Sequence, residues 1–436
     1  MNKVLRVGIA GLGTVGASVV RLLHTQASDL AARTGRAIAV TGVSARDPGR
    51  NRGVDLSGVD FFADPVALAR SEDIDLFVEL IGGDEGAARK SVTGALEAGK
   101  SVVTANKALL AKHGLELARL AEETHAALAF EGAVAGGIPI VKTLREGLAG
   151  NRVARVYGIL NGTCNYILSR MELEGLSFAE CLADAQMLGY AEADPTFDIG
   201  GFDTAHKLAI LASLAFGVKL DADTIAIEGI QHISLADIEA AAELGFRIKL
   251  LGVAQRTGHG VEQRVHPTMV PLSSPIAQVM GVTNAVTVDA DAVNELTLVG
   301  PGAGGMATAS AVVADIADIA RGIRSAPFGL PVAHLVNAEK SPMQRHEGGY
   351  YIRLAARNHI GAAGAIATRM AERGISLESI VQRRKLYGDS GADDSVVPVV
   401  LVTYATTEAS VRDALAAIVA DGHIAEKPQV IRIERE

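Results

Sequence analysis

The sequence predicts an α/β protein in three parts: an N-terminal doubly wound parallel sheet, a second α+β part, and a compact C-terminal βαββαβ unit. Three observations carry this. Short apolar runs rich in valine and isoleucine alternate with helical stretches over residues 4–140. Longer, alternating strand-like runs begin near residue 150. A weakly periodic segment then precedes a last block in which strands and helices come in a fixed order.

The first element, VLRVGIA (4–10), is a short apolar run of the kind found in a buried parallel strand. GLGTVGASVVRLLHTQ follows as a turn and a helix, and IAVTGVS (38–44) is a second strand. IDLFVELIGG (74–83) is a strand ending in glycines, followed by the helical AARKSVTGALEAG. KSVVTANKALLAKHG (100–114) repeats strand, turn and helix, and ALAFEGAVAGGIPI (127–140) runs from a strand into a glycine-rich irregular segment. Strands alternating with helices put a parallel sheet between two helical layers. VARVYGILNGTCNYILSRM, the helix and strands of 225–255 and AVTVDADAVNELTLVG make the second part. GPGAGGMATASAVVADIADIARG (300–322) is a glycine turn and a long helix that reads as returning to the first part. Residues 324–349 hold three of the thirteen prolines and read as a linker. Then come YYIRLAA, AAGAIATRMAERG, SLESIVQRR, VVPVVLVTYA, EASVRDALAAIVADG and QVIRIERE, which read as βαββαβ, a ferredoxin-like order. The expected division is 1–135 (completed by about 302–325), 136–301, 326–349 as linker and 350–436 as the terminal unit.

Composition narrows the function classes. The formal net charge is -9, spread along the chain, which argues against a nucleic-acid partner. Two cysteines, Cys164 and Cys181, are too few for a disulfide framework and fit a reducing compartment. No apolar run approaches the ~18 residues that span a bilayer. The N-terminus lacks the long apolar region and small-residue cleavage site of a signal peptide. The expectation is a soluble cytoplasmic protein with no membrane partner.

Gly11, Gly13 and Gly16 form G-x-G-x-x-G directly after the first strand, with Thr14 and Val15 inside the motif at the start of a helix. In a dinucleotide-binding (Rossmann-type) unit, one such glycine makes the tight turn. Another admits the pyrophosphate, and the third lets helix and strand pack closely. The helix N-terminus offers free N–H groups to the phosphates. NAD sites usually end the second strand on an acid. Here the strand ends Ser44-Ala45-Arg46-Asp47. Arg46 suits a 2′-phosphate, so NADP(H) is favoured, while Asp47 keeps NAD(H) open.

GYAEADPTFDIGGFDTAHK (189–207) places Glu192, Asp194, Asp198 and Asp203 before Lys207, between apolar flanks. Asp203 and Lys207 are four apart and share one face of a helix. Carboxylates favour the charged form of a neighbouring lysine, and burial opposes it. A lysine held this way can protonate a developing alkoxide during carbonyl reduction. A surface ion pair beside a solvated acidic loop has the same spacing, and spacing alone leaves both open.

The run from Ala185 to Lys207 resembles the signature of homoserine dehydrogenases: Gly189 and Tyr190, Asp194-Pro195, then Asp198, Ile199, Gly201, Asp203 and Lys207. GIAGLGTVG, VVTANKALLA, GILNGTCNYIL, ELGFRIKLLG, VHPTMVP and GPGAGGMATASAVVADI agree in family order over nearly all of residues 1–330. The resemblance implies NAD(P)H-dependent, reversible reduction of L-aspartate 4-semialdehyde to L-homoserine, toward threonine, methionine and isoleucine. It implies that Glu192 binds the substrate's amino group, that Asp198 and Asp203 orient substrate and lysine, and that Lys207 exchanges the proton. Lys107 would stand between nicotinamide and substrate, and Gly302 would face the cofactor. In EGAVAGGIPI, Glu131 with the carbonyls of Val134, Gly136 and Ile138 would hold a structural sodium ion. A glycine-rich crossover without an ion reads the same way from composition. The family resemblance implies at least a homodimer.

Residues 350–436 resemble an ACT domain, which implies a threonine effector and a route to a homotetramer. Where such domains often read Asp-x-Pro-Gly, this chain has Asn358-His359-Ile360-Gly361, keeping only the glycine. Two alternatives stay open from sequence: a dehydrogenase of another amino-acid aldehyde, and a catalytically silent amino-acid sensor on a nucleotide-binding fold.

Overall fold

The computed structural model describes residues 3–258, 260–338, 347–357, 360–382 and 396–434. The first sheet contains β1 (Leu5–Ala10), β2 (Ile38–Ser44), β3 (Asp60–Phe62), β4 (Leu76–Glu79), β5 (Ser101–Thr104) and β6 (Leu128–Ala129). Its order is β3-β2-β1-β4-β5-β6, and every neighbouring pair is parallel. The chain order reverses between β1 and β4, and ligands of such sheets bind outside the carboxyl ends at that switch point. Every residue of β4 and β5 is buried, as the near-continuous apolar runs predict. The helix Gly305–Ala320 does return to this unit and packs on the helix Thr14–Thr25. A Cβ on Gly305 would stand 2.8 Å from Ser18 Oγ, so glycine lets the two helices close.

The second sheet starts with β7 (Val153–Ile159), β8 (Ala226–Ile227), β9 (Phe246–Thr257), β10 (Gly260–Pro271), β11 (Thr283–Ala290) and β12 (Asn294–Pro301). The terminal unit supplies β13 (Glu347–Arg357), β14 (Leu377–Gln382), β15 (Val396–Thr403), β16 (Thr406–Thr407) and β17 (Gln429–Ile433). With the helices Ala362–Glu372 and Glu408–Ala420 it has the predicted βαββαβ order, plus the two-residue β16. The two sets of strands are one sheet, ordered β12-β11-β7-β9-β10-β17-β13-β15-β14, with β8 on β10 and β16 on β13. The join is parallel pairing of Thr268 with Arg432 and Met269 with Ile433. Alternation within a strand does not encode which strand lies beside it, so this continuity was not visible in the sequence.

One face of this sheet carries the helices Gly162–Glu174, Phe202–Phe216 and Leu235–Glu243. Leu168, Leu208 and Ile238 share a core with Leu250 and Val286. Asp237, fully buried, caps its own helix through Ser234 and accepts from Tyr351 Oη at 3.1 Å and Arg353 Nε at 2.7 Å. The helix is thereby fastened to the terminal unit. The described part of the segment read as a linker, 326–338, is also built in. Phe328 packs on Phe130 at 5.2 Å, Val332 and Leu335 are buried, and Val336 bridges Val218. This stretch is a turn at 327–330 followed by the one-turn 3-10 helix Val332–His334, so its apolar side chains enter the core without the periodicity of a long helix or strand. Asn358 and His359 of the ACT-like loop lie outside the described residues.

Candidate active site between the two sheets

The glycine loop has the shape a pyrophosphate needs. Gly11 has φ +97°, and a Cβ there would meet Leu80 O at 2.3 Å. A Cβ on Gly16 would meet Gly11 O at 1.9 Å. Above Gly13 a Cβ would find open space. The helix Thr14–Thr25 has no side-chain cap, so the N–H groups of Thr14, Val15 and Gly16 face that space with no acceptor among the described residues. An uncapped helix N-terminus under an open glycine is a fit for a dinucleotide's phosphates. Arg46 is solvent-exposed at the end of β2, and Asp47 is turned to its own loop, where its carboxylate accepts from Gly49 N at 2.9 Å. Sequence reasoning missed Arg52, which donates to Leu12 O at 3.2 Å and to Arg50 O at 2.7 Å and ties the glycine loop to the loop after β2. It lies in an irregular segment, where periodicity gives no signal.

The charged cluster assembles across the gap between the two parts. Gly201, at φ +88°, starts the helix Phe202–Phe216, which sets Asp203 and Lys207 on one buried face. Lys207 Nζ donates to Asp203 Oδ2 at 2.7 Å and to Leu160 O at 2.6 Å. Lys107, the first residue of the helix Lys107–Glu123 after β5, brings its Nζ to 3.0 Å from Asp203 Oδ1. The Lys207 side chain is 11% exposed and that of Lys107 36%, so Lys207 sits deeper in the site and Lys107 nearer its mouth. Asn161 caps the helix Gly162–Glu174 and donates to both Asp198 Oδ1 at 2.8 Å and Asp203 Oδ2 at 3.0 Å.

Electrostatics separates the two acids. Burial would raise the Asp203 carboxyl, but the charges of Lys207 and Lys107 and the hydrogen bonds from Lys207 and Asn161 override it and hold it well below the usual range. Asp198 is raised, by burial first and by Asp203 second. Proximity to two cations makes Asp203 the fixed anion of the site.

Asp198, Asp203, Lys107 and Lys207 are therefore brought together. Glu192 is not: it is exposed, and no described hydrogen bond uses its carboxylate. Asp194 closes a turn, accepting from Thr196 N at 3.1 Å. His206, unassigned from sequence, lies edge-on to Phe197 with ring centroids 5.3 Å apart. Asn161, in GILNGTCNYIL, carries no role from sequence; an asparagine just before a helix is the available signal.

Gly302 and the predicted cation segment are packed on each other. Gly137 N donates to Pro301 O at 3.0 Å, and a Cβ on Gly136 would meet Gly302 O at 2.5 Å. Ala135 and Gly136 have φ of +54° and +49°, which curls the chain. The carbonyls of Val134 and Gly136 accept no hydrogen bond from the described residues, whereas that of Ile138 accepts from Ile140 N at 2.8 Å. Glu131 accepts from Val141 N and Lys142 N, both at 2.9 Å. Burial, then the neighbouring Asp315, pushes its carboxyl up to about 7. Free carbonyls around a curl beside an electron-rich acid suit a hard monovalent cation.

Residues 139–317 match the family described as homoserine dehydrogenase, and residues 11–131 match that described as homoserine dehydrogenase, NAD binding domain. The curated homoserine dehydrogenase of Pseudomonas aeruginosa is 46% identical over 99% of each chain. The crystal structure of a homoserine dehydrogenase from Thiobacillus denitrificans superposes with a TM-score of 0.92 at 41% identity, covering 100% of this chain and 99% of that one. A hyperthermophilic archaeal homoserine dehydrogenase in complex with NADPH matches at a TM-score of 0.63 and 28% identity, over 74% of this chain and 99% of that one.

Proposed function

This chain belongs to the homoserine dehydrogenase family, and from that membership we propose how its own residues divide the work. It is an NAD(P)-dependent oxidoreductase that interconverts L-aspartate 4-semialdehyde and L-homoserine. One observation carries the proposal: two lysines from different parts of the fold converge on one buried carboxylate. A lysine ammonium has three donors, and Lys207 uses two of them on Asp203 and Leu160 O. The third is free for the substrate oxygen. Lys207 gives that proton to the developing alkoxide in reduction and takes it back in oxidation. Asp203 holds both lysines, and Asp198, tied to it through Asn161, orients the substrate. Lys107 at the mouth would contact substrate and nicotinamide. When bound, the cofactor supplies or removes the hydride at the substrate carbon.

The phosphates of a bound cofactor would rest on Gly11, Gly13, Thr14, Val15 and Gly16, with Gly302 across the cleft. The exposed Arg46 supports NADP(H) over NAD(H). Initial rates with L-homoserine should be higher with NADP⁺ than with NAD⁺, and equal rates would remove the role of Arg46. No turnover from folded protein with either would overturn the whole assignment of roles.

Glu192 is assigned to the substrate's ammonium group, on its place in the family signature. Glu192→Ala is expected to raise the Michaelis constant for homoserine about tenfold, the loss of one charge-assisted contact, with turnover changed less than about threefold. An unchanged constant would remove Glu192 from the site.

Glu131 and the carbonyls of Val134, Gly136 and Ile138 would hold a sodium ion that stiffens the turn under Gly302. Replacing sodium by a bulky organic cation at constant ionic strength should lower the thermal midpoint, and Glu131→Gln should abolish the difference. We also propose the division into 1–135 with 302–325, 136–301, and 350–436 with 326–349 leading into it. The βαββαβ unit is read as an ACT domain that takes threonine, and a calorimetric titration without heat would remove that reading. Exposed Val299 on the outermost strand β12 supports a homodimer or homotetramer, which sedimentation at monomer mass would exclude. No helix among the described residues is long and apolar enough to cross a membrane. A cytoplasmic location is proposed from the family, testable by fractionation.

A further inference from the structure

We propose that Glu79 is a positioning residue for this reaction: its buried carboxylate ties the turn after β4 to the turn after β5 and so aims Lys107 at Asp203. The inference rests on the role given to Lys107 above.

Glu79 ends β4 and is 0% exposed. Its described partners are all neutral donors. Oε1 accepts from Ile81 N at 2.7 Å, from Gly82 N at 3.1 Å and, more weakly, from Asn106 Nδ2 at 3.5 Å. Oε2 accepts from Thr104 Oγ1 at 2.6 Å. Removing a carboxylate from water with no cation beside it is costly, and an apolar residue would extend the run LFV at no such cost. An acceptor-only group is what lets donors from two separate turns converge on one point.

Both turns lead into the site. Gly82 and Gly83, at φ +83° and +81°, let the first turn fold back over Glu79, and Gly11 of the phosphate loop packs against Leu80 in the same turn. In the second turn Thr104 Oγ1 accepts from Asn106 N at 3.0 Å, while Asn106 Nδ2 donates to Gly83 O at 2.6 Å and so links the turns again. Asn106 Oδ1 caps the next helix by accepting from Leu109 N at 3.0 Å. Lys107 is the residue after that cap. Its reach to Asp203 is therefore set by a hydrogen-bonded chain that starts at Glu79.

Glu79→Gln keeps the volume but turns an NH₂ group toward donors, so the chain must rearrange. A displacement of about 1 Å in a catalytic group costs up to ~10²-fold in rate. The test is a double-mutant cycle on kcat, with thermal midpoints recorded for each protein. Expected is a loss of about tenfold for Glu79→Gln in the native background and less than about twofold in Lys107→Ala, because the residue acts through Lys107. The same factor in both backgrounds, or a lowered midpoint with unchanged kcat, would overturn the proposal. Thr104→Val removes the donor to Oε2 with little change of shape, and it must show the same dependence on Lys107 should Glu79→Gln not fold. If Lys107→Ala alone leaves kcat unchanged, the role of Lys107 fails. If it lowers kcat and Glu79→Gln is simply additive, only the role of Glu79 fails.

Discussion

Lys207→Met is expected to lower kcat by about 10³-fold, within the range a positioned general acid contributes. Methionine keeps the apolar stem and most of the volume, so the helix Phe202–Phe216 still packs. What disappears is the ammonium held between Asp203 Oδ2 and Leu160 O. The hydride step would then leave an alkoxide with no donor aimed at it. Lys107 cannot replace it, because its Nζ approaches the opposite oxygen of Asp203 from the mouth of the cleft. Cofactor affinity should change by less than about twofold, since the glycine loop shares no hydrogen bond with Lys207. The measurement is steady-state kinetics in both directions, with fluorescence titration of NADPH. A variant that keeps even a tenth of the native kcat, or loses NADPH binding with it, would remove the proton-transfer role.

How much of this site was legible depends on how local each contact is. Asp203 and Lys207 are one helical turn apart, and their shared face follows from period alone. That Lys107 meets the same carboxylate is a tertiary fact. Only the family resemblance brought it into view, through the TANK motif. Glu79 was hidden differently: one acid at the end of LFVE does not disturb a strand reading, and nothing local says that donors from two turns converge on it. Asn161 and Arg52 are the same case, polar residues whose work is to hold backbone at a distance in the chain. In the fold, the strand–helix alternation of the first part is legible except for the helix Ala27–Thr34, the three-residue β3 and the helix Pro65–Arg70, which are too short for a periodic signal. The pairing of β17 with β10 is not, because two residues of register carry no compositional mark. The packed 326–338 segment was read as a linker for want of periodicity, although Phe328, Val332 and Leu335 are core residues.

Asp203→Asn is expected to cost both catalysis and stability, and the two losses have one cause. The native carboxylate accepts from Lys107 on one oxygen and from Lys207 and Asn161 on the other. Asparagine has the same shape but only one acceptor, so its NH₂ group must face a lysine. The two ammonium groups then sit near each other with no anion between them. Breaking a buried pair in this way destabilises by about 3 kcal/mol. The kcat should fall at least about 10²-fold, because both lysines lose their anchor. The pH dependence gives a separate check. Burial opposes ionisation of Asp203, but Lys207 and Lys107 hold its folded-state value well below the ordinary one. Its stabilising contribution is therefore fully present above the unfolded value of about 4 and is lost only as the pH falls below that, through the lowered folded value. The stability gap between the native protein and Asp203→Asn should be constant from about pH 8 to pH 5 and narrow only below about pH 4. Urea unfolding at a series of pH values measures it. A gap that has already closed near pH 6 would mean that Asp203 is not the anion on which the two lysines are held.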